Sequence, residues 1–150
     1  MDLSPLIANL RVEEDVRNVA YDDASGQPIT KGSTLAGWPT VGVGHNLTVP
    51  ISDAAIAQIL TDDLQPALAE AQAHPWFASL NWPRQLAIVD MVFNMGEHTF
   101  DEFGTFQSFL ASGDFGAAAD DLRSTAWAGE VGARAERIES IIRSGEWVTA

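Results

Sequence analysis

The sequence predicts an α+β fold, mostly helical, with one small antiparallel sheet. Three observations carry that prediction. Apolar residues recur at helical spacing on both sides of a central stretch. That stretch, from Val16 to Leu47, is broken by Gly26, Gly32, Gly37, Gly42 and Gly44 and by Pro28 and Pro39, which rule out a continuous helix. The resulting order is helix, small sheet, long helix and helical cluster, so helices and strands are segregated rather than alternating. With 150 residues the chain is read as one domain. Its small lobe covers about 14–52, and its helical lobe about 1–13 and 53–150.

Taken in order, Ser4 and Pro5 read as an N-cap and first-turn proline. Leu6, Ile7, Leu10 and Glu14 follow at helical spacing, which predicts a helix from about Pro5 to about Glu13. Glu14 then sits at a helix C-terminus, where the dipole disfavours an anion. The β-favouring pieces Val19–Tyr21, Ile29–Thr30 and Thr40–Val43 predict an irregular antiparallel sheet. Ser52-Asp53 opens a helix that runs to about Ala73, with Ile56, Ile59, Leu60, Leu64 and Leu68 on one face. Such a helix spans about 30 Å, and Pro66 inside it should kink or split it. Asn81-Trp82-Pro83 caps a segment apolar on most sides (Leu86, Ile88, Val89, Met91, Val92, Phe93), the pattern of a central core helix that stops at Gly96. Shorter helices follow over about 103–111, 115–123 and 131–143, the last stopping at Ser144-Gly145.

Composition excludes several function classes. The net charge of −13, with eight Lys and Arg of which only three cluster near the C-terminus, argues against a nucleic-acid stripe. No apolar run approaches the ~20 residues of a membrane span, so no membrane insertion is expected. Without cysteine there is no disulfide framework and no thiolate metal site. The start Met1-Asp2-Leu3-Ser4-Pro5 lacks a basic-then-apolar leader. The chain is therefore expected to fold in a cytoplasm and to need another agent to leave it.

The stretch from Leu10 to His45 gathers the groups that could carry chemistry. Glycoside hydrolysis needs two carboxyl groups on opposite sides of the bond, and Glu14 and Asp23 stand nine positions apart. Spacing alone leaves Glu13 and Asp22 as rivals, and ordinary surface acids as the plainer alternative. Thr40 precedes Val41-Gly42-Val43-Gly44-His45, where alternate glycines would bare one face of a strand to sugar or backbone. A phosphate loop is the alternative, but the next helix starts too late for a dinucleotide fingerprint. His45 is expected in a structural ion pair with Asp63. His74 and His98 read as surface or capping residues, and the three histidines show no metal-ligand spacing, so no metal is expected. Of the five tryptophans, Trp127 is the one expected near substrate.

Several motifs, in order, resemble the phage-type lysozymes, glycoside hydrolase family 24. They are Leu10-Arg11-Val12-Glu13-Glu14, Tyr21-Asp22-Asp23, Gly26, Thr40-Val41-Gly42-Val43-Gly44-His45, Asp90-Met91-Val92-Phe93-Asn94-Met95-Gly96-Glu97, Trp127, Gly132-Ala133-Arg134-Ala135-Glu136-Arg137 and Gly145-Glu146-Trp147. The resemblance covers essentially the whole chain. It implies a cofactor-free muramidase that cuts the β-1,4 bond between N-acetylmuramic acid and N-acetylglucosamine in peptidoglycan. By the same resemblance Glu14 is the general acid, Asp23 the second carboxylate acting on a water, and Thr40 the hydroxyl that helps place that water. Arg134 matches an arginine that pairs with the catalytic glutamate, His45 with Asp63 a structural ion pair, and Asn94 and Trp127 positions lining the cleft.

The chain departs from the family where Gln27 to Trp38 lengthen the small lobe and Leu47 to Ser52 form a short loop. Its acidity gives less electrostatic help on an anionic wall polymer. The reading implies a monomeric phage or prophage endolysin, held in the host bacterial cytoplasm until a holin releases it. A lytic transglycosylase, or a non-catalytic wall-binding or virion structural module, is the alternative.

Overall fold

The computed structural model describes residues 1–14 and 16–149. The fold is α+β, as the sequence predicts. Its elements run α1 (Ser4–Glu13), β1 (Arg17–Asp22), β2 (Pro39–Gly42), β3 (His45–Asn46), α2 (Asp53–Ala73), a 3-10 turn (Phe77–Ser79), α3 (Trp82–Met95), α4 (Glu97–Asp101), α5 (Gly104–Ser112), α6 (Phe115–Arg123), α7 (Ala126–Val131) and α8 (Ala133–Ser144). The chain divides into two compact units, Met1–Ala57 and Gln58–Ala150. No helix among the described residues is long and apolar enough to cross a membrane.

In the first unit, α1 starts one residue before the expected position, and Ser4 is not its N-cap. The cap position is Leu3, which supplies no side-chain hydrogen bond. The carboxylate of Asp2 lies further out and accepts from Ser4 N–H at 2.9 Å. It takes over the service a serine cap gives an orphan donor. Glu14 is the C-cap, its N–H donating to Leu10 O at 2.9 Å.

The sheet has the order β1-β2-β3, antiparallel throughout. Tyr21 faces Thr40 and Asp22 faces Pro39, with an irregularity between Arg17 and Tyr21. Two strand expectations are corrected. Ile29–Thr30 is not a strand. Ile29 N–H donates to Ala20 O of β1 at 2.8 Å beside an isolated Tyr21–Pro28 bridge, so the segment meets β1 without forming a strand. Gly42 and Gly44 do not bare a strand face. Gly42 ends β2 at φ 68° and Gly44 turns at φ 75°, so the glycines supply the left-handed backbone of a tight β2–β3 hairpin.

Most of α2 lies in the second unit, where the helix continues past Pro66 without splitting. The proline removes one N–H, and the helix absorbs the loss. Its packed residues are Ala67 and Ala71, with Leu64 and Leu68 partly buried beside them. The core contact therefore belongs to the C-terminal half and partly to alanine, not to the full Ile56–Leu68 face. Asn81 caps α3 as predicted, its side chain accepting from Arg84 N–H. Ala87, Ile88, Val89, Met91 and Val92 of α3 are buried with Phe100, Phe106, Leu110, Leu122, Ile138, Ile141 and Ile142. Arg84 ties α3 to the end of α8 by donating from Nε to Ile142 O at 2.7 Å. One of the carbonyls left open at the C-terminus of α8 is satisfied in this way. Gly113 and Gly145 end α5 and α8 in the left-handed region.

Candidate active site

The candidate residues fall in both units. Glu14, Asp23, Thr40 and His45 belong to the first; Asp63, Asn94, Trp127 and Arg134 belong to the second.

In the first unit the pair Asp22-Asp23 resolves into two roles. Asp22 is 4% exposed. Its Oδ1 accepts from Gly37 N–H at 2.7 Å and Ala24 N–H at 3.2 Å. Its Oδ2 accepts from the Ser25 hydroxyl at 2.8 Å and Ala36 N–H at 3.0 Å. The Ala36 N–H, followed by the Ser25 hydroxyl, holds this carboxyl below the usual carboxylate range, against the opposing effect of burial. Both oxygens are committed, so Asp22 is the hub around which the long 24–37 segment closes.

Asp23, by contrast, is exposed. Its Oδ1 accepts from Trp38 N–H at 2.6 Å, and its own N–H donates to Trp38 O at 3.1 Å. Thr40 is buried at 4% exposure, and its hydroxyl donates to the same Trp38 carbonyl at 3.1 Å. The backbone of Trp38 thus ties Asp23 and Thr40 to one point, while its indole stays exposed. Gly37 makes the approach possible. A Cβ there would lie 2.0 Å from Asp23 Oδ1 and 2.8 Å from Ala24 N. Glu14 is exposed at the end of α1, and His45 is exposed where β3 begins, opposite Val41.

In the second unit α3 carries a polar stripe on an otherwise apolar helix. Asn94 Oδ1 accepts from Trp127 Nε1 at 2.8 Å. One turn earlier, Asp90 Oδ1 accepts from Arg134 Nε at 2.9 Å and Nη2 at 2.6 Å, while Oδ2 accepts from Arg137 Nη2 at 2.6 Å. Two residues chosen from sequence, Trp127 and Arg134, are therefore each held by α3. Trp127 is 7% exposed and meets Phe103 edge-on at 6.3 Å, so most of its ring is core anchor. It also borders a cavity of about 400 Å³ with Thr99, Glu102, Phe103 and Glu130. Arg134 and Arg137 border another, of about 580 Å³, with Val148 and Thr149. Asp63 is exposed on α2.

Sequence reasoning named no role for Asp90, Arg137, Gly37 or the peptide of Trp38. Asp90 had a signal: an acid one turn from an amide inside an apolar helix has to be paired, and Arg134 and Arg137 share one face of the last helix. The peptide of Trp38 had none, because a backbone group leaves no residue-type signature.

A small antiparallel sheet in one unit, a helical core in the other, and a carboxylate beside the sheet bound to the same peptide as a strand threonine define a lysozyme-like protein. Residues 12–141 match the phage lysozyme family, and the chain belongs to it. Its members are lysozyme-type glycosidases. The chain is also 25% identical over 166 aligned positions to the pre-baseplate central spike protein Gp5 of Enterobacteria phage T4. That match covers 91% of this chain but only 27% of the spike protein.

Proposed function

We propose that the chain is a muramidase that hydrolyses the β-1,4 bond between N-acetylmuramic acid and N-acetylglucosamine in peptidoglycan. Glu14 protonates the leaving glycosidic oxygen. Asp23 takes a proton from water as the water oxygen bonds to the anomeric carbon from the opposite face, so configuration inverts. Thr40 orients that water. Arg134, whose Nε and Nη2 are engaged by Asp90, belongs to the substrate-binding set on this reading. Asn94 and Trp127 support the substrate wall.

The observation that supports this reading best is the division of labour at residues 22 and 23. Asp22 absorbs the loop's hydrogen bonds, which leaves Asp23 exposed, fixed by one peptide that also fixes Thr40. Glu14→Gln should abolish release of reducing ends from purified peptidoglycan while Tm is kept. Wild-type activity in that variant removes Glu14 from the mechanism. Muropeptide mass spectrometry distinguishes a hydrolase from a lytic transglycosylase, whose products are anhydro sugars.

As an endolysin the protein waits as a monomer in the host cytoplasm for a holin to open the membrane. The spike relative favours a second reading, in which the same hydrolase, or a wall-binding module without activity, is part of a virion. Clearing of chloroform-permeabilised cells, but not of intact ones, supports the endolysin. Binding to peptidoglycan with no loss of turbidity supports the inactive module.

A further inference from the structure

His74 is a surface or capping residue by sequence, but its surroundings are specific. It follows α2 immediately, one turn after Glu70. Its ring stacks on Trp76 at 5.0 Å and 20° and meets Phe100 edge-on at 5.4 Å. Packing on two sides fixes the ring plane. The side chain is 15% exposed. Its Nε2 is closed to solvent and has no hydrogen-bond partner among the described residues. Glu70 Oε1 is 3.8 Å from that nitrogen, too far for a hydrogen bond. Asp101, at the end of α4, brings a third group, and one ligand atom from each of the three lies within 4.8 Å of the others.

A buried imidazole nitrogen near the Glu70 carboxylate that makes no hydrogen bond is unsatisfied as a donor and as an acceptor, and leaving it so is costly. We propose that Glu70, His74 and Asp101 bind a divalent transition cation, for which Zn²⁺ is the probe. The geometry is close to what a metal needs. Three atoms no more than 4.8 Å apart share a point within about 2.8 Å of each, against roughly 2.0–2.2 Å for zinc bonds to nitrogen and oxygen. Side-chain shifts of under about 1 Å close that gap. One neutral imidazole and two carboxylates suit zinc or cobalt better than calcium or magnesium, which favour all-oxygen shells. The ion cancels the two carboxylate charges in a chain of net charge −13. Three protein ligands leave a fourth position for water. Bound, the metal staples the end of α2 to α4 within the helical unit. No residue of the proposed muramidase mechanism takes part.

The sequence spacing was available, since Glu70 and His74 stand four positions apart where α2 ends. The third ligand, 27 positions beyond His74, had no sequence signature.

The test uses the full chain, stripped with EDTA and titrated with ZnCl₂ by calorimetry. Expected are one saturable site and a Tm that rises with zinc but not with MgCl₂. Histidine-detected NMR should show the Nε2 resonance of His74 moving, and not those of His45 or His98. His74→Gln and Asp101→Asn should each weaken binding at least tenfold, while Asp62→Asn, an exposed acid on the same helix, should not. Asp101 is exposed, so its variant keeps the test valid even if His74→Gln does not fold. No saturable heat, equal affinity in Asp101→Asn, or movement of His45 or His98 instead overturns the proposal. Lytic activity enters none of these readouts.

Discussion

The two units are built on opposite principles. Every buried apolar residue among those described lies between Ala67 and Ile142, in the second unit. The first unit's buried residues are Asp22 and Thr40, both polar. Its loop is closed by four donors on one carboxylate, whereas the helical unit is closed by interdigitated Phe, Ile, Leu and Met. Apolar burial is non-directional and tolerates small shifts. A hydrogen-bonded hub fixes particular atoms in particular directions. The unit carrying Asp23 and Thr40 is thus the one whose geometry rests on directional bonds, which suits groups that have to be held at defined positions.

The largest way to break this contrast is to hollow the helical core. Phe106 is fully buried, and Phe106→Ala should cost about 3–5 kcal/mol. The loss should appear as a lower urea midpoint monitored through methyl signals of Ile88 and Ile138. The amides of Ala36 and Gly37 should keep their shifts below that midpoint. If they move in native buffer, the loop depends on the core and the contrast fails.

A smaller change in volume should have the reverse outcome. Gly37→Ala puts a methyl group on the Asp23 carboxylate and the Ala24 backbone. One of them has to give way, and no flexible side-chain end other than the carboxylate is there to yield. On the muramidase reading, displacing Asp23 by about 1 Å should lower kcat by roughly a hundredfold. Tm should change little, because none of the apolar core is touched. Unchanged kcat would mean that the Asp23–Trp38 contact does not set the reacting geometry.

How legible each unit was follows from the same contrast. The long helices could be read because their ends are marked by residue type. Asn81 caps α3, Asp114 caps α6, and Gly96, Gly113 and Gly145 close three helices near the predicted positions. Short α4 and α7 were missed, having too few turns to show a period. The sheet was read as a class but not in detail. β3 is two residues long, and Gly42 and Gly44 read as strand when their work is in the turn. The choice between Asp22 and Asp23 was open on spacing, because it depends on which backbone amides return to residue 22 from fourteen and fifteen positions away. Family resemblance chose Asp23, and the hydrogen bonds give a physical reason why the two acids are not interchangeable.

Acid provides the mildest way to separate the units. The Asp22 carboxyl is held below its ordinary value of 3.8, first by Ala36 N–H and then by the Ser25 hydroxyl. A carboxyl lowered on folding contributes stability that is fully present above its unfolded value and is lost as pH falls through its lowered folded value. The loop should therefore be unaffected at neutral pH and loosen only below about pH 3.8. Glu139 in the second unit is also lowered from its ordinary 4.5, by Arg123 first and then Arg143 against opposing burial. Its partners are solvent-exposed cations that stay hydrated when it protonates, and the core beside it is apolar. As pH falls, amide exchange at Ala24, Ala36 and Gly37 should accelerate together before the methyl signals of Ile138 and Met91 collapse. Asp22→Asn should remove the acid step and leave the loop loose at every pH, since an amide offers one acceptor oxygen where the carboxylate offers two. Loop and core melting at one pH in the wild type, or a tight loop in Asp22→Asn, would mean that something other than this carboxylate closes the segment.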